Sequence, residues 1–238
     1  MESFQASSAL QELRDADVPT LVVHPEVHGE PQVIVLLSGS FDPITVAHLA
    51  VADAAAATEN AELVLLVYSA RTLPKDPGAP EPLLDEEGRL ESIRRLAVHR
   101  PRYAMGLCSH GLLAEQVAAV AARFPRARIA VAMGSDKLLQ VLDPSWYEDR
   151  DAVLRGMFVH AELRYALRTG DDGAVEEALA HPSNAAFVAR IRALAVPRDV
   201  ADVSSRMIRE LVANGEDPSD LVPEAIRSLL PQRGSGGS

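Results

Sequence analysis

The stretch Val33-Ile34-Val35-Leu36-Leu37-Ser38-Gly39-Ser40-Phe41-Asp42-Pro43-Ile44-Thr45-Val46-Ala47-His48 decides the fold. Its first five residues are apolar without alternation, the mark of a strand buried on both faces, and Ser38-Gly39 ends it. Asp42-Pro43 predicts a helix start, with Asp as the cap and Pro in the first turn. The helix should run through Leu49, Val51 and the alanines to about Thr58. A strand that feeds through a glycine turn into a helix aims the helix's free N–H groups at one spot, where its dipole favours an anion. Gly39 lets the backbone turn and come close to a ligand, and small Ser40 leaves the approach open. Thr45 and His48, three apart, share one helix face, which aims a hydroxyl and an imidazole at the same anion. Such junctions also occur with no ligand, and a lone histidine on an apolar helix is more often structural. By itself the stretch implies only an anion site.

Outward from it, strand and helix patterns alternate. Strands are predicted at 61–68, 102–108, 127–133, around 157–161 and at 191–196. Helices are predicted from Asp85, over 112–124, from Ser204 or Ser205 to Gly215, and from Pro223. Helix-length connections between strands predict a mainly parallel sheet with right-handed crossovers. The fold class is therefore α/β, Rossmann-like and doubly wound, with helices on both faces. Residues 134–147 read as a loop, and 162–190 as a mostly helical insert broken at Gly170–Gly173 and Pro182. Residues 1–31 form an N-terminal extension, best read as an edge cap, ahead of a domain over 32–231. The tail 232–238, with its Gly-Ser run, takes no part in the fold argument.

Composition bounds the function. Of 238 residues, 47% are hydrophobic and 24% charged, an ordinary globular balance, and only 4% are aromatic, so Ala, Val and Leu must build the core. A net charge of −11 excludes a surface that coats nucleic acid but allows a local anion site. The single cysteine, Cys108, rules out an internal disulfide and suits a reducing cytoplasm. No long apolar run or basic leader is visible, so neither membrane spanning nor export is expected. His24 and His28 have a metal-like spacing, but Pro25 and Gly29 spoil the helix it would need.

Two further motifs change the reading. Val203-Ser204-Ser205-Arg206-Met207-Ile208-Arg209 is a second helix N-terminus, with two hydroxyls at its cap and an arginine one turn inside, suited to a polyphosphate. Met133-Gly134-Ser135-Asp136 puts a carboxylate after a strand, able to accept from a ribose or to position a hydrated metal. Together, Gly39–His48, Gly134–Asp136 and Ser204–Arg209 resemble the signatures of the nucleotidyltransferase superfamily. Within it they are most similar to the nicotinamide and nicotinic acid mononucleotide adenylyltransferases. Gly39, Phe41, Pro43, Thr45 and His48 fall on the Gly-x-Phe-x-Pro-(His/Thr)-x-x-His pattern, and the resemblance spans roughly residues 33–230. Thr45 and Ala47 replace a histidine and a glycine common in bacterial members. A Thr-x-x-His version resembles the eukaryotic type, which tilts the acceptor toward nicotinamide mononucleotide. Arg206 replaces the usual Thr or Ser.

The resemblance implies transfer of AMP from ATP to nicotinamide or nicotinic acid mononucleotide, with Mg2+ carried by phosphates and water. His48, Thr45 and Arg209 become the expected catalytic residues. Gly39, Ser40, Phe41, Ser204, Ser205 and Arg206 become phosphate contacts, and Gly134 and Asp136 nucleotide contacts. Trp146 and Tyr147, two of ten aromatic residues, fall where relatives stack an aromatic on the pyridine ring. Lys75, in the polar loop 69–82, is a further phosphate candidate. Expected partners are ATP and the pyridine mononucleotide, with no nucleic acid and no membrane; a homo-oligomer stays open. Another adenylyl- or cytidylyltransferase, or a non-catalytic nucleotide-binding paralogue, are the alternatives.

Overall fold

The computed structural model describes residues 4–71 and 81–231. Its seven-stranded sheet has the order β1-β4-β3-β2-β5-β6-β7, with β1 Leu21–His24, β2 Val33–Ser38, β3 Leu63–Ser69, β4 Tyr103–Cys108, β5 Arg128–Gly134, β6 Ala161–Ala166 and β7 Ile191–Ala193. Strand β1 pairs antiparallel with β4, and all other pairs are parallel. This is the Rossmann-like, doubly wound α/β sheet expected from the alternation.

The central strand shows why. Ile34 and Leu36 pack into one hydrophobic cluster and Val35 and Leu37 into another, on opposite faces, so β2 is apolar from Val33 to Leu37. One face is covered by α1 Ala6–Arg14, α2 Val46–Glu59, α3 Glu86–His99 and α9 Ser205–Ala213. The other is covered by α4 Leu113–Arg123, α5 Ser135–Leu142, α6 Arg150–His160 and α7 Asp172–Ala180. A single turn, α8 Arg198–Ala201, precedes α9. The segment before β2 is integral. Leu10 and Leu13 of α1 are buried in the cluster that holds Val35 and Leu37, and β1 lies at the sheet edge.

Four local expectations need correction. Helix α2 is capped by Thr45 and not by Asp42: the Thr45 side chain accepts from His48 N–H, and the Asp42–Pro43 turn is used for something else. Residues 135–142 form α5 within the predicted loop. The strand expected at 157–161 is the end of α6, and β6 occupies 161–166, inside the predicted helical insert. The segment after Pro223 is 3-10 helix, Glu224–Leu229.

Candidate active site

Connections from β2 run to β3 and β4 on one side, then cross to β5 and β6 on the other. Strand order thus reverses between β2 and β5, and a crevice at the carboxyl ends of the strands is expected there. A cleft of about 420 Å³ lies at this point. It is lined by Gly39 and Ser40 after β2, His48 on α2, Gly134 and Asp136 after β5, and Arg168 after β6. Five of the residues singled out by sequence therefore meet in one place: Gly39, Ser40, His48, Gly134 and Asp136.

His48 is held by the turn that starts its own helix. Thr45 N–H donates to His48 Nδ1 at 3.0 Å, and His48 N–H donates to Thr45 Oγ1 at 3.3 Å. This is a reciprocal capping box with histidine where glutamate is usual. Because Nδ1 accepts from a backbone amide, the neutral ring carries its proton on Nε2, the nitrogen turned away from Thr45. Burial lowers the imidazole to about 4, with Arg168 adding to the shift and Asp136 opposing it. His48 is therefore a neutral N–H donor at pH 7, not a cation.

Thr45 itself is fully buried. Its hydroxyl lies 2.8 Å from His48 Nδ1 and 3.5 Å from Val203 O, so it orients His48 and does not reach the cleft. Phe41 is also corrected: its side chain is buried in the core, edge-on to His48 with ring centroids 5.7 Å apart. Its backbone takes φ 48°, an uncommon conformation for a bulky residue, in the turn that brings Gly39 and Ser40 to the cleft.

The second helix N-terminus lies against the first. Ser205 Oγ donates to Pro43 O at 2.8 Å, and Arg209 Nη1 donates to Asp42 O at 2.8 Å. Ser204 caps α9 by accepting from Met207 N–H. Val203 of this motif lines the cleft, whereas Ser204, Ser205, Arg206 and Arg209 are not among its lining residues. Arg209 is 12% exposed, and its Nε is buried without a hydrogen-bond partner. Arg206 is exposed and paired with Glu210 at 2.9 Å.

After β5, a Cβ on Gly134 would come within 2.5 Å of Asp136 Oδ1 and 3.1 Å of Arg168 Nε. Glycine lets Asp136 and Arg168 sit this close to the backbone, and a larger residue would have to displace their side chains. Asp136 lies 3.5 Å from Arg168, and Ser135 Oγ accepts from Arg168 N–H at 3.0 Å. Trp146 and Tyr147 line a small recess shared with Lys137 and Gln140, which also line the main cleft. Tyr147 is tied through its hydroxyl to Val141 O at 3.1 Å, while Trp146 is 38% exposed, which leaves the indole as the ring free to stack. Lys75 lies outside the described residues.

Sequence reasoning missed Arg168, Lys137, Gln140 and Gln116, and did not select Arg71, all of which line the cleft. Burial lowers the Lys137 ammonium, which donates to Gln140 Oε1 at 2.7 Å. The signal for this face was present: Leu138, Leu139, Val141 and Leu142 leave positions 136, 137 and 140 on the other side of a helix. Gln116 donates to Ser69 Oγ at 2.7 Å, and its Oε1 is buried without a partner, an acceptor available to a ligand donor.

The chain is similar to known proteins. The chain is 25% identical over 204 residues to a protein of Lachnoclostridium phytofermentans named as a probable nicotinate-nucleotide adenylyltransferase, covering 84% of this chain and 96% of that one. It is 29% identical over 214 residues to an Aeromonas salmonicida protein of the same name, covering 84% and 94%. Its fold resembles that of Plasmodium falciparum nicotinic acid mononucleotide adenylyltransferase complexed with NaAD, with a TM-score of 0.57, 14% identity and coverage of 83% and 94%. The sequence pattern of one family, described as cytidylyltransferase-like, matches residues 36–211, a span that runs from β2 through the second helix N-terminus. A match that takes in both helix N-termini and the cleft beside them leaves one assignment: the chain belongs to the cytidylyltransferase-like family of nucleotidyltransferase enzymes.

Proposed function

We propose that the enzyme transfers the adenylyl group of ATP to the phosphate of a pyridine mononucleotide, forming a dinucleotide and pyrophosphate. The observation that carries this reading is the joining of two helix N-termini, capped by Thr45 and Ser204, through Ser205–Pro43 and Arg209–Asp42 beside a cleft that contains His48. The names of the bacterial relatives support it.

An oxygen of the acceptor phosphate attacks the α-phosphorus of ATP, the bond from that phosphorus to the bridging oxygen breaks, and pyrophosphate departs. The acceptor is already an anion at neutral pH, so no strong base is required, and positioning and charge neutralisation carry the rate. His48 Nε2–H donates to an oxygen on the transferring phosphorus. The α2 N-terminus and Gly39–Ser40 face the polyphosphate, and Arg168 supplies positive charge on the β6 side. Ser205 and Arg209 brace the turn at Asp42–Pro43, Ser204 caps their helix, and Arg209 adds a fixed positive charge beside the turn for the departing pyrophosphate. Gly134 and Asp136 receive the ribose, and Trp146 stacks on the flat base.

Among the described residues no group of three or more His, Cys, Asp or Glu could hold a metal, and Asp136 is the cleft's carboxylate. This donor set fits Mg2+ arriving with ATP: Asp136 is the residue that would hold it, through water, and the ion would supply charge neutralisation.

Thr45 carries no information about the pyridine, because it is buried and spent on His48. The lean toward nicotinamide mononucleotide therefore loses its basis, and the relatives' names favour nicotinic acid mononucleotide. Pyrophosphate release from ATP should be measured with nicotinic acid mononucleotide, nicotinamide mononucleotide and phosphopantetheine. Release with a pyridine mononucleotide, greatest with the nicotinic acid form, is expected. Release with phosphopantetheine alone, or binding of ATP with no release on any acceptor, would sink the reading. Among the described residues no helix is long and apolar enough to cross a membrane.

A further inference from the structure

Residues 14–20 precede the family-matched region, yet they reach the cleft through one side chain. Arg71, just past β3, lines the cleft. Its Nε donates to Arg14 O at 3.2 Å, and its Nη2 donates to Arg14 O at 2.9 Å and to Ala16 O at 2.7 Å. Both carbonyls lie at the C-terminal end of α1, where unsatisfied acceptors and the negative end of the dipole favour a cation. Arg71 Nη1 lies 3.0 Å from His110 Nε2, and His110 Nδ1 lies 2.8 Å from Ser109 Oγ. A guanidinium can only donate, so His110 accepts at Nε2 and passes its own proton toward Ser109. Ser109 in turn donates to Val18 O and accepts from Thr20 N–H. The chain of bonds thus begins and ends on the N-terminal segment.

A guanidinium has five N–H donors. Four bonds hold Arg71 in place, and one N–H on Nη1 remains. The three acceptor atoms, Arg14 O, Ala16 O and His110 Nε2, are neutral, and among the described residues no carboxylate pairs with Arg71. Among those residues its charge is therefore fixed in place without a counter-ion at the rim of a cleft, in a chain of net charge −11. A guanidinium kept rigid and without a counter-ion is prepared for an anion.

We propose that the segment 14–20 is a cradle that fixes Arg71 as an anion-binding residue for the acceptor nucleotide. The proposal rests on the adenylyl-transfer reading. Arg71 belongs to the acceptor end because its neighbours in the cleft, Ser69, Gly111 and Gln116, lie on the β3–β4 side, across from Asp136 and Arg168. Leu112 and Leu113, directly after Gly111, form the recess that contains Trp146. The stacking indole and the guanidinium therefore flank the same short segment, 110–113. The anion is either the acceptor phosphate or the carboxylate of nicotinic acid.

The test compares wild type with Arg71→Gln and Arg71→Lys, using steady-state kinetics on both pyridine mononucleotides and calorimetric Kd values for nicotinic acid mononucleotide. Acceptor KM and Kd should rise roughly tenfold or more in Arg71→Gln, the scale of one charged hydrogen bond, with kcat and ATP KM within about threefold. A rise on both acceptors assigns the phosphate; a rise on nicotinic acid mononucleotide alone assigns the carboxylate. Amide exchange at 14–20 should also speed up in Arg71→Gln. If it does not, the cradle is wrong. If exchange speeds up and the protein melts earlier while acceptor KM and Kd stay within twofold of wild type, Arg71 is only a structural pin and the proposal falls. A wild type that binds nicotinic acid mononucleotide but releases no pyrophosphate sinks the adenylyl-transfer reading alone, and the Kd comparison still decides Arg71.

Discussion

Replacing His48 with alanine is expected to lower kcat by about 10²- to 10⁴-fold, the range for removing a positioned donor at a developing charge. The ring is locked through Nδ1 by Thr45 N–H, so Nε2–H is preorganised and costs no reorientation during transfer. KM values should move only a few-fold, because the lost contact is made mainly in the transition state. The fold should survive, since the Thr45 hydroxyl remains as cap to α2. Steady-state pyrophosphate release with a thermal melt checks both halves, and a kcat within threefold of wild type would remove His48 from the reaction.

The same substitution has a signature in stability. His48 titrates at about 4 in the folded free protein, against an ordinary 6.5. Between those values the unfolded chain binds the extra proton, so the contribution is fully present above pH 6.5 and is lost as pH falls toward 4. Wild type should lose stability more steeply than the alanine variant across this window. Parallel denaturant titrations at pH 7 and pH 4.5 would reveal the difference.

The second large effect is expected at Asp42, which is fully buried. Oδ1 accepts from Leu83 and Leu84 N–H at 3.0 and 2.8 Å. Oδ2 lies 3.3 Å from Arg89 and 3.6 Å from Arg209, two guanidinia that are themselves nearly buried. Alanine here leaves both charges without an anion and two backbone donors unmet, a loss of about 3–5 kcal/mol. In a chain of this size that corresponds to a fall in Tm of roughly 6–20 °C. Arg209 would also be free to leave the Asp42–Pro43 turn, so turnover should fall at temperatures where the variant is still folded. Asparagine, which keeps an acceptor but not the charge, should lie between. A melt within about 2 °C of wild type would show that the two arginines find other partners.

The parts of this molecule that sequence made legible are those where one residue type has one use. Val33–Leu37 has to be a doubly buried strand, and two hydroxyl-bearing helix starts in the right order signal phosphate. The parts that stayed hidden depend on partners distant in sequence. Asp42-Pro43 reads locally as a helix start, but Asp42 faces Arg89 and Arg209, so the cap passes to Thr45. Strand β6 was masked by Arg164 at its centre, a residue 4% exposed whose guanidinium is satisfied by Glu59 and Glu162. Charge patterning sees a surface there, and the pairing makes it an interior. Met157-Phe158-Val159 fits a strand or a buried helix equally, and Asp149, accepting from Ala152 N–H, settles it as helix. Arg168 carries no local mark at all; only the register of β6 beside β5 brings it to Asp136.

Strand β1 has one more effect. All six residues of β4 are buried, and β1 covers its outer side from Met105 to Cys108. Without that cover, an apolar strand would present an open row of amides and carbonyls, a template on which a second molecule can add its own strand. Trimming the first 24 residues to obtain a minimal enzyme should therefore yield a protein that clumps, visible as rising light scatter with concentration. On this account the short antiparallel strand that finishes the sheet also blocks strand addition at the β4 edge.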